Sequence, residues 1–169
     1  MKARSYLAAT LSLSLSASLI ACSNASEAKT VTMLVYDSFP VKDTPLQDAL
    51  ADFTTDTGIK VRLLQADLEG AAWPYAGSLF AGIVVTNYLH RPLLPILVES
   101  LAPGGILIYE TFALGNERFG KPSKPAFLLK PGDLLEAVRG KLRVLGYEDG
   151  YQEVPKPAMV QRICALRHP

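Results

Sequence analysis

Four short stretches hold the residues best suited to chemistry. Asn87-Tyr88-Leu89-His90 places an amide, a phenol and an imidazole within four positions. The amide can hold a polar ligand group, the phenol can orient a substrate, and the His90 imidazole can act as a base. A single histidine beside Arg91-Pro92 also suits a surface or packing role. Asp67 closes an apolar run, where a carboxylate can accept from a ligand's amino group or serve as a cap or solvated turn acid. Glu117 and Arg118 either pair with each other or hold a polar acceptor, and Tyr36-Asp37-Ser38 is a polar exit from another apolar run. Metal chemistry is not indicated. His90 and His168 are far apart, and neither cysteine has a CxxC partner.

Elements that position these residues can be read from the apolar pattern. Gly82–Thr86 and Ile106–Tyr109 are β-branched runs that predict strands buried on both faces. Leu93–Leu101 between them predicts a short helix, ended by Pro103-Gly104-Gly105. Strand, helix and strand in this span make a right-handed βαβ unit with parallel strands. Its ligand crevice lies beyond the carboxyl ends of the strands, where Asn87-Tyr88 and Glu110-Thr111-Phe112 begin. Thr30–Tyr36 and Ile59–Ala66 predict two more strands. The helix between them starts with Pro45 after Asp43 or Thr44, turns Leu46, Ala49, Leu50 and Phe53 to one side, and stops at Thr57-Gly58. Asp133 starts a further helix with Leu134, Leu135 and Val138 inward. Leu142–Tyr147 and Ala158–Leu166 predict a final antiparallel pair, with Cys164 as a small core residue. The expected fold class is α/β: a truncated, Rossmann-like, doubly wound and mostly parallel sheet of order 2-1-3-4, with that antiparallel pair at its end.

The chain has 169 residues, 49% of them hydrophobic, enough for one domain with a core over residues 30–169. A net charge of +1 with scattered basic residues gives no footprint for nucleic acid, so a small-molecule ligand is the expected partner.

The N-terminus reads as a targeting segment. Lys2 and Arg4 precede the apolar, Ser-rich run Leu7–Ile20, too short to span a bilayer comfortably, and Leu19-Ile20-Ala21-Cys22 follows. This is the layout of a secretory signal peptide and resembles a bacterial lipobox. The resemblance implies lipidation of Cys22, a periplasmic or membrane-anchored location, and a tether over residues 23–29.

Two further resemblances divide the chain. VTMLVYDSFPVKDTPLQDALADFTTDTGIKV, residues 31–61, is similar to the start of the mature thiamine-binding protein of bacterial ABC transporters. It implies that Tyr36, Asp37 and Ser38 help hold thiamine or its phosphates. From about Val61 to the end, TNYLHRPL, the Pro-Gly-Gly before a strand, YETF and GNERFG resemble class I S-adenosylmethionine-dependent methyltransferases, whose relatives are cytoplasmic. This resemblance implies S-adenosylmethionine as cofactor. Asp67, Leu68, Asn87 and Tyr88 would lie on the donor, with Tyr88 and His90 in catalysis and Glu117 and Arg118 on the acceptor. Trp73-Pro74 would cover the adenine, or Trp73 belongs to the core.

One part of that family's pattern is missing. Its donor rests on a Gly-rich turn after the first strand, where only glycine permits close backbone approach. Here Asp37-Ser38-Phe39-Pro40 follows the first strand, and Gly58 is the only glycine from Thr30 to Ala66. Together with the disagreement of compartments, this reads as a fusion of two unrelated pieces. The expected product is a methyltransferase-like domain of weak or no activity, with a thiamine-binding lipoprotein as the alternative.

Overall fold

The computed structural model describes residues 29–36, 40 and 42–169. The expected signal peptide, Cys22, nearly all of the tether, and Asp37 and Ser38 lie outside the described residues.

The first unit is β1 (Thr30–Tyr36), α1 (Pro45–Thr57) and β2 (Lys60–Ala66), with β1 and β2 parallel and in register from Thr30↔Lys60 to Tyr36↔Ala66. Extended backbone at Thr44 leads into Pro45, whose missing N–H would have had no partner in the first turn anyway. Gly58 ends the helix at φ 68°, its N–H donating to Thr54 O at 2.9 Å. The expected apolar face of α1 is not enclosed. Leu46 and Leu50 are half-buried, Ala49 is exposed, and Phe53 is 40% exposed.

The second unit is β3 (Phe80–Thr86), α2 (Leu93–Glu99) and β4 (Leu101–Phe112), with β3 and β4 parallel. Pro103-Gly104-Gly105 departs from expectation: it lies inside β4 as a bulge, not after the helix. Phe80 pairs with Leu101, but Gly82 already pairs with Ile106. Glycine is needed there. A Cβ on Gly105 would lie 2.8 Å from Ala102 O and 2.9 Å from Phe80 O. The helix therefore stops at Glu99. The Arg167 guanidinium caps it, donating to Glu99 O at 2.9 Å and Leu101 O at 2.7 Å.

α3 (Asp133–Val138) precedes the antiparallel strands β5 (Leu142–Gln152) and β6 (Ala158–Arg167), giving a sheet of order β3-β4-β6-β5. Leu107 and Tyr109 of β4 and Ile163 and Ala165 of β6 point one way. They pack with Leu93 and Leu97 of α2 and Leu134 and Val138 of α3, and Leu135 is partly buried against this cluster. The opposite face is open: Val84 is 67% exposed, Ile108 is exposed, and Cys164 is half-buried there instead of in the core. Arg162 on that face pairs with Glu110 at 2.9 Å and Glu148 at 3.0 Å, its in-register neighbours.

The predicted single sheet of order 2-1-3-4 does not form. Among the described residues, β1 and β2 make a sheet of their own, and β3 is an edge of the four-stranded sheet. A central parallel strand needs cover on both faces. β1 has only Val35 buried, and α1 buries nothing.

Two buried amides fasten the segment before α3 to the sheet. Gln161 donates to Lys130 O at 2.7 Å and Asp149 Oδ2 at 3.1 Å, and accepts from Leu134 N at 3.1 Å. Asn116 donates to Pro122 O at 3.0 Å and accepts from Met159 N at 3.2 Å.

Candidate functional site

The carboxyl ends of β2, β3 and β4 supply the candidate site. Beyond β2, Asp67 closes a tight turn on itself, its Oδ1 accepting from Glu69 N at 2.9 Å and Gly70 N at 2.8 Å. Those two N–H groups, Gly70 first, hold its carboxyl below the usual carboxylate range. A Cβ on Gly70 would come within 2.5 Å of Asp67 Oδ2, so the turn depends on that glycine. Of the roles open to Asp67, the turn acid is the one seen.

Beyond β3, Asn87 takes φ 54°, which asparagine tolerates better than most residues. Its N–H donates to Glu110 O at 2.9 Å, extending the β3–β4 pairing by one step. Tyr88 follows, its carbonyl accepting from the buried Tyr109 hydroxyl at 2.8 Å. The Tyr88 hydroxyl is itself buried and faces the Glu69 carboxylate. Burial, then the neighbouring Glu69 carboxylate, push its pKa up to about 12. Burial likewise raises Tyr109.

His90 O accepts from Leu93 N at 3.0 Å, starting α2. Arg91 is a structural clamp: it pairs with Asp133 at 3.0 Å and donates to Ala126 O at 3.0 Å and Leu128 O at 2.8 Å. The Lys121–Pro125 segment thus runs between two anchors, Asn116 on Pro122 and Arg91 on Ala126.

Two clefts flank the Glu69 side chain. The first, of about 220 Å³, is lined by Glu69, Asn87, Tyr88, Leu89, Thr111, Pro122 and Phe127. The second, of about 180 Å³, has Leu68, Glu69, Trp73, His90, Pro92 and Leu93 among its walls. Trp73 packs edge-on against Tyr75, and its Nε1 is buried without a partner, so the ring is both packing residue and cleft wall.

The sequence-predicted residues therefore divide. Asn87 and Tyr88 meet in the first cleft and Leu68 and His90 in the second, while Asp67 lines neither and holds the turn that carries Glu69. Glu117 and Arg118 line neither cleft and are not paired with each other. Glu117 accepts from Gly115 N at 2.8 Å, while Arg118 lies 5.8 Å from the Phe119 ring centroid. Tyr36 ends β1 and lines neither cleft. Thr111 lies where the crevice was expected, whereas sequence reasoning missed Glu69 and Phe127. Glu69 is legible only through its place two residues after a turn-forming Asp. Among the described residues there is no cluster of metal-ligating side chains and no helix long and apolar enough to cross a membrane.

No protein-family model matches this sequence, and a search of curated proteins finds no match. Solved structures do resemble it. TehB from Haemophilus influenzae superposes with a TM-score of 0.57 at 14% identity, over 80% of this chain and 49% of its own. The N-methyltransferase NodS from Bradyrhizobium japonicum WM9 gives 0.51 at 15% identity, over 80% and 73%. The cyclase SpnF gives 0.50 at 14% identity, over 83% and 67%. The chain thus spans about half the length of TehB. At these identities the likeness establishes the fold alone, a Rossmann-like α/β fold.

Proposed function

We propose that the chain is a methyltransferase-like domain with an impaired donor site, and so of weak or no transfer activity. The observation that carries this reading is the meeting of Glu69, Asn87, Tyr88 and Thr111, from the exits of β2, β3 and β4, in one cleft. Such a cleft suits in-line transfer by positioning, in which binding groups hold two reactants in reach of each other. Tyr88 would orient an acceptor, and His90, from the second cleft, would take up its proton.

The residues present do not fit S-adenosylmethionine in full. The loop from Asp37 to Thr44 after β1 has no glycine, the Asp67 carboxylate expected on the donor is engaged in its own turn, and β1 is not in the sheet of β3. Calorimetric titration with S-adenosylhomocysteine tests the reading. Binding at millimolar concentration or none is expected. A micromolar dissociation constant would mean that the donor site is whole.

Lipidation at Cys22 and export remain part of the proposal and rest on the lipobox-like sequence alone. Metabolic labelling with palmitate, lost in Cys22→Ser, is the expected result. For the thiamine reading, Tyr36 is the one predicted contact among the described residues, so thiamine is expected to leave the Trp73 fluorescence unchanged.

A further inference from the structure

We infer that the cleft between Glu69 and Phe127 binds a small organic cation, a protonated primary or secondary amine, in preference to an anion of the same shape. Three features of its wall point to this class. Among the described residues Glu69 is the only charged one lining it, and no lysine or arginine does. Arg91, the nearest basic residue in the β3 exit loop, is held by Asp133 and by the carbonyls of Ala126 and Leu128. Phe127 is half-exposed at the rim, so its ring face is available to a cation, while Leu89 and Pro122 supply apolar cover for a short alkyl or aryl tail.

The hydrogen-bonding groups agree. The Tyr88 hydroxyl is buried beside the Glu69 carboxylate, so an ammonium group placed at this pair would meet a phenol oxygen and a carboxylate together. A carboxylate ligand would meet Glu69 as a like charge, with no basic wall to offset it. An ammonium group meets an opposite charge and an aromatic face. The volume, about 220 Å³, limits the ligand to a small molecule or the tip of a larger one.

This inference stands on the cleft and does not depend on the methyl donor. The experiment is two-dimensional NMR of the full chain, titrated with butylamine and benzylamine and, in parallel, with butyrate and benzoate. The amines are expected to shift the backbone resonances of Glu69, Asn87–Leu89 and Thr111, and the acids to leave them in place. Glu69→Gln should weaken amine binding about tenfold or more, which corresponds to 1.4 kcal/mol, and Tyr88→Phe should weaken it as well. Acids binding as well as amines, amine shifts mapping elsewhere, or amine affinity unchanged in Glu69→Gln would each overturn the inference. So would the absence of any amine response at millimolar concentration. Because the amine–acid contrast is read on the unsubstituted protein, an unfolded variant leaves the test intact. Amine binding without S-adenosylhomocysteine binding would uphold the cleft and the impaired donor site together. The converse result would sink both separately.

Discussion

The Arg91 guanidinium lies 3.0 Å from the Asp133 carboxylate, and the same side chain reaches two carbonyls of the segment that leads into α3. One residue thereby joins the exit loop of β3 to the far wall of the first cleft. The ion pair is partly exposed and by itself contributes only about 0.2–1 kcal/mol. The carbonyl contacts matter more, because a planar guanidinium can serve three acceptors at once.

Arg91→Ala is therefore expected to cost about 1–3 kcal/mol, from lost charge-assisted hydrogen bonds, while Asp133 keeps the bond it accepts from Lys130 N at 2.9 Å. Arg91→Lys should recover less than half of this, since an ammonium cannot span the same three groups. Urea unfolding of the three proteins checks the order. A full recovery by lysine would show that charge, not geometry, is what the site uses.

Gln161 offers a second stability test. Its side chain is 0% exposed and bridges Leu134 N, Lys130 O and Asp149. Gln161→Met keeps the volume but strands buried donors and acceptors, so a loss of about 1–3 kcal/mol is expected by denaturant melt.

The bulge in β4 predicts an unequal pair of glycine substitutions. Gly104 has φ 75° with open space around its missing Cβ, so Gly104→Ala meets only the backbone penalty of about 1–2 kcal/mol. Gly105→Ala would press on two carbonyl oxygens at 2.8 and 2.9 Å, one of them on β3, and both strands must shift. The Gly105 variant should have the lower melting temperature of the two.

Tyr88 gives a pH test. Its folded pKa is raised, so the neutral phenol is the favoured form. The stability this represents is fully present below the unfolded value near 10 and is lost as pH rises through about 12. Alkaline titration of tyrosinate absorbance should show an increment near pH 12 that disappears in Tyr88→Phe. At the other end, Asp67 has a lowered pKa, so its contribution is present above the ordinary carboxylate value and lost as pH falls through the folded one. Asp67→Asn should flatten that acid limb of the stability curve.

Val84 tests the open edge. It is exposed on an uncharged edge strand, FAGIVVT, which is a template for unwanted pairing. Val84→Lys should change stability by less than about 0.5 kcal/mol and raise solubility, measured as light scattering against concentration.

The sequence by itself determined the local elements. β1, α1 and the Pro45 and Gly58 boundaries were readable because proline and glycine act through the backbone of a few neighbouring residues. So were the parallel β3–β4 unit, the antiparallel end and the placing of Asn87 and Tyr88 in a cleft. Only the tertiary structure decided that β1 stands outside the sheet of β3, and that Pro103-Gly104-Gly105 is a bulge. It also decided that Glu69 and Phe127 face one cleft while Glu117 and Arg118 turn away. Strand order and cleft membership depend on which surfaces find cover among residues far apart in the chain. A periodic apolar pattern says that a face must be buried, but it does not say against what.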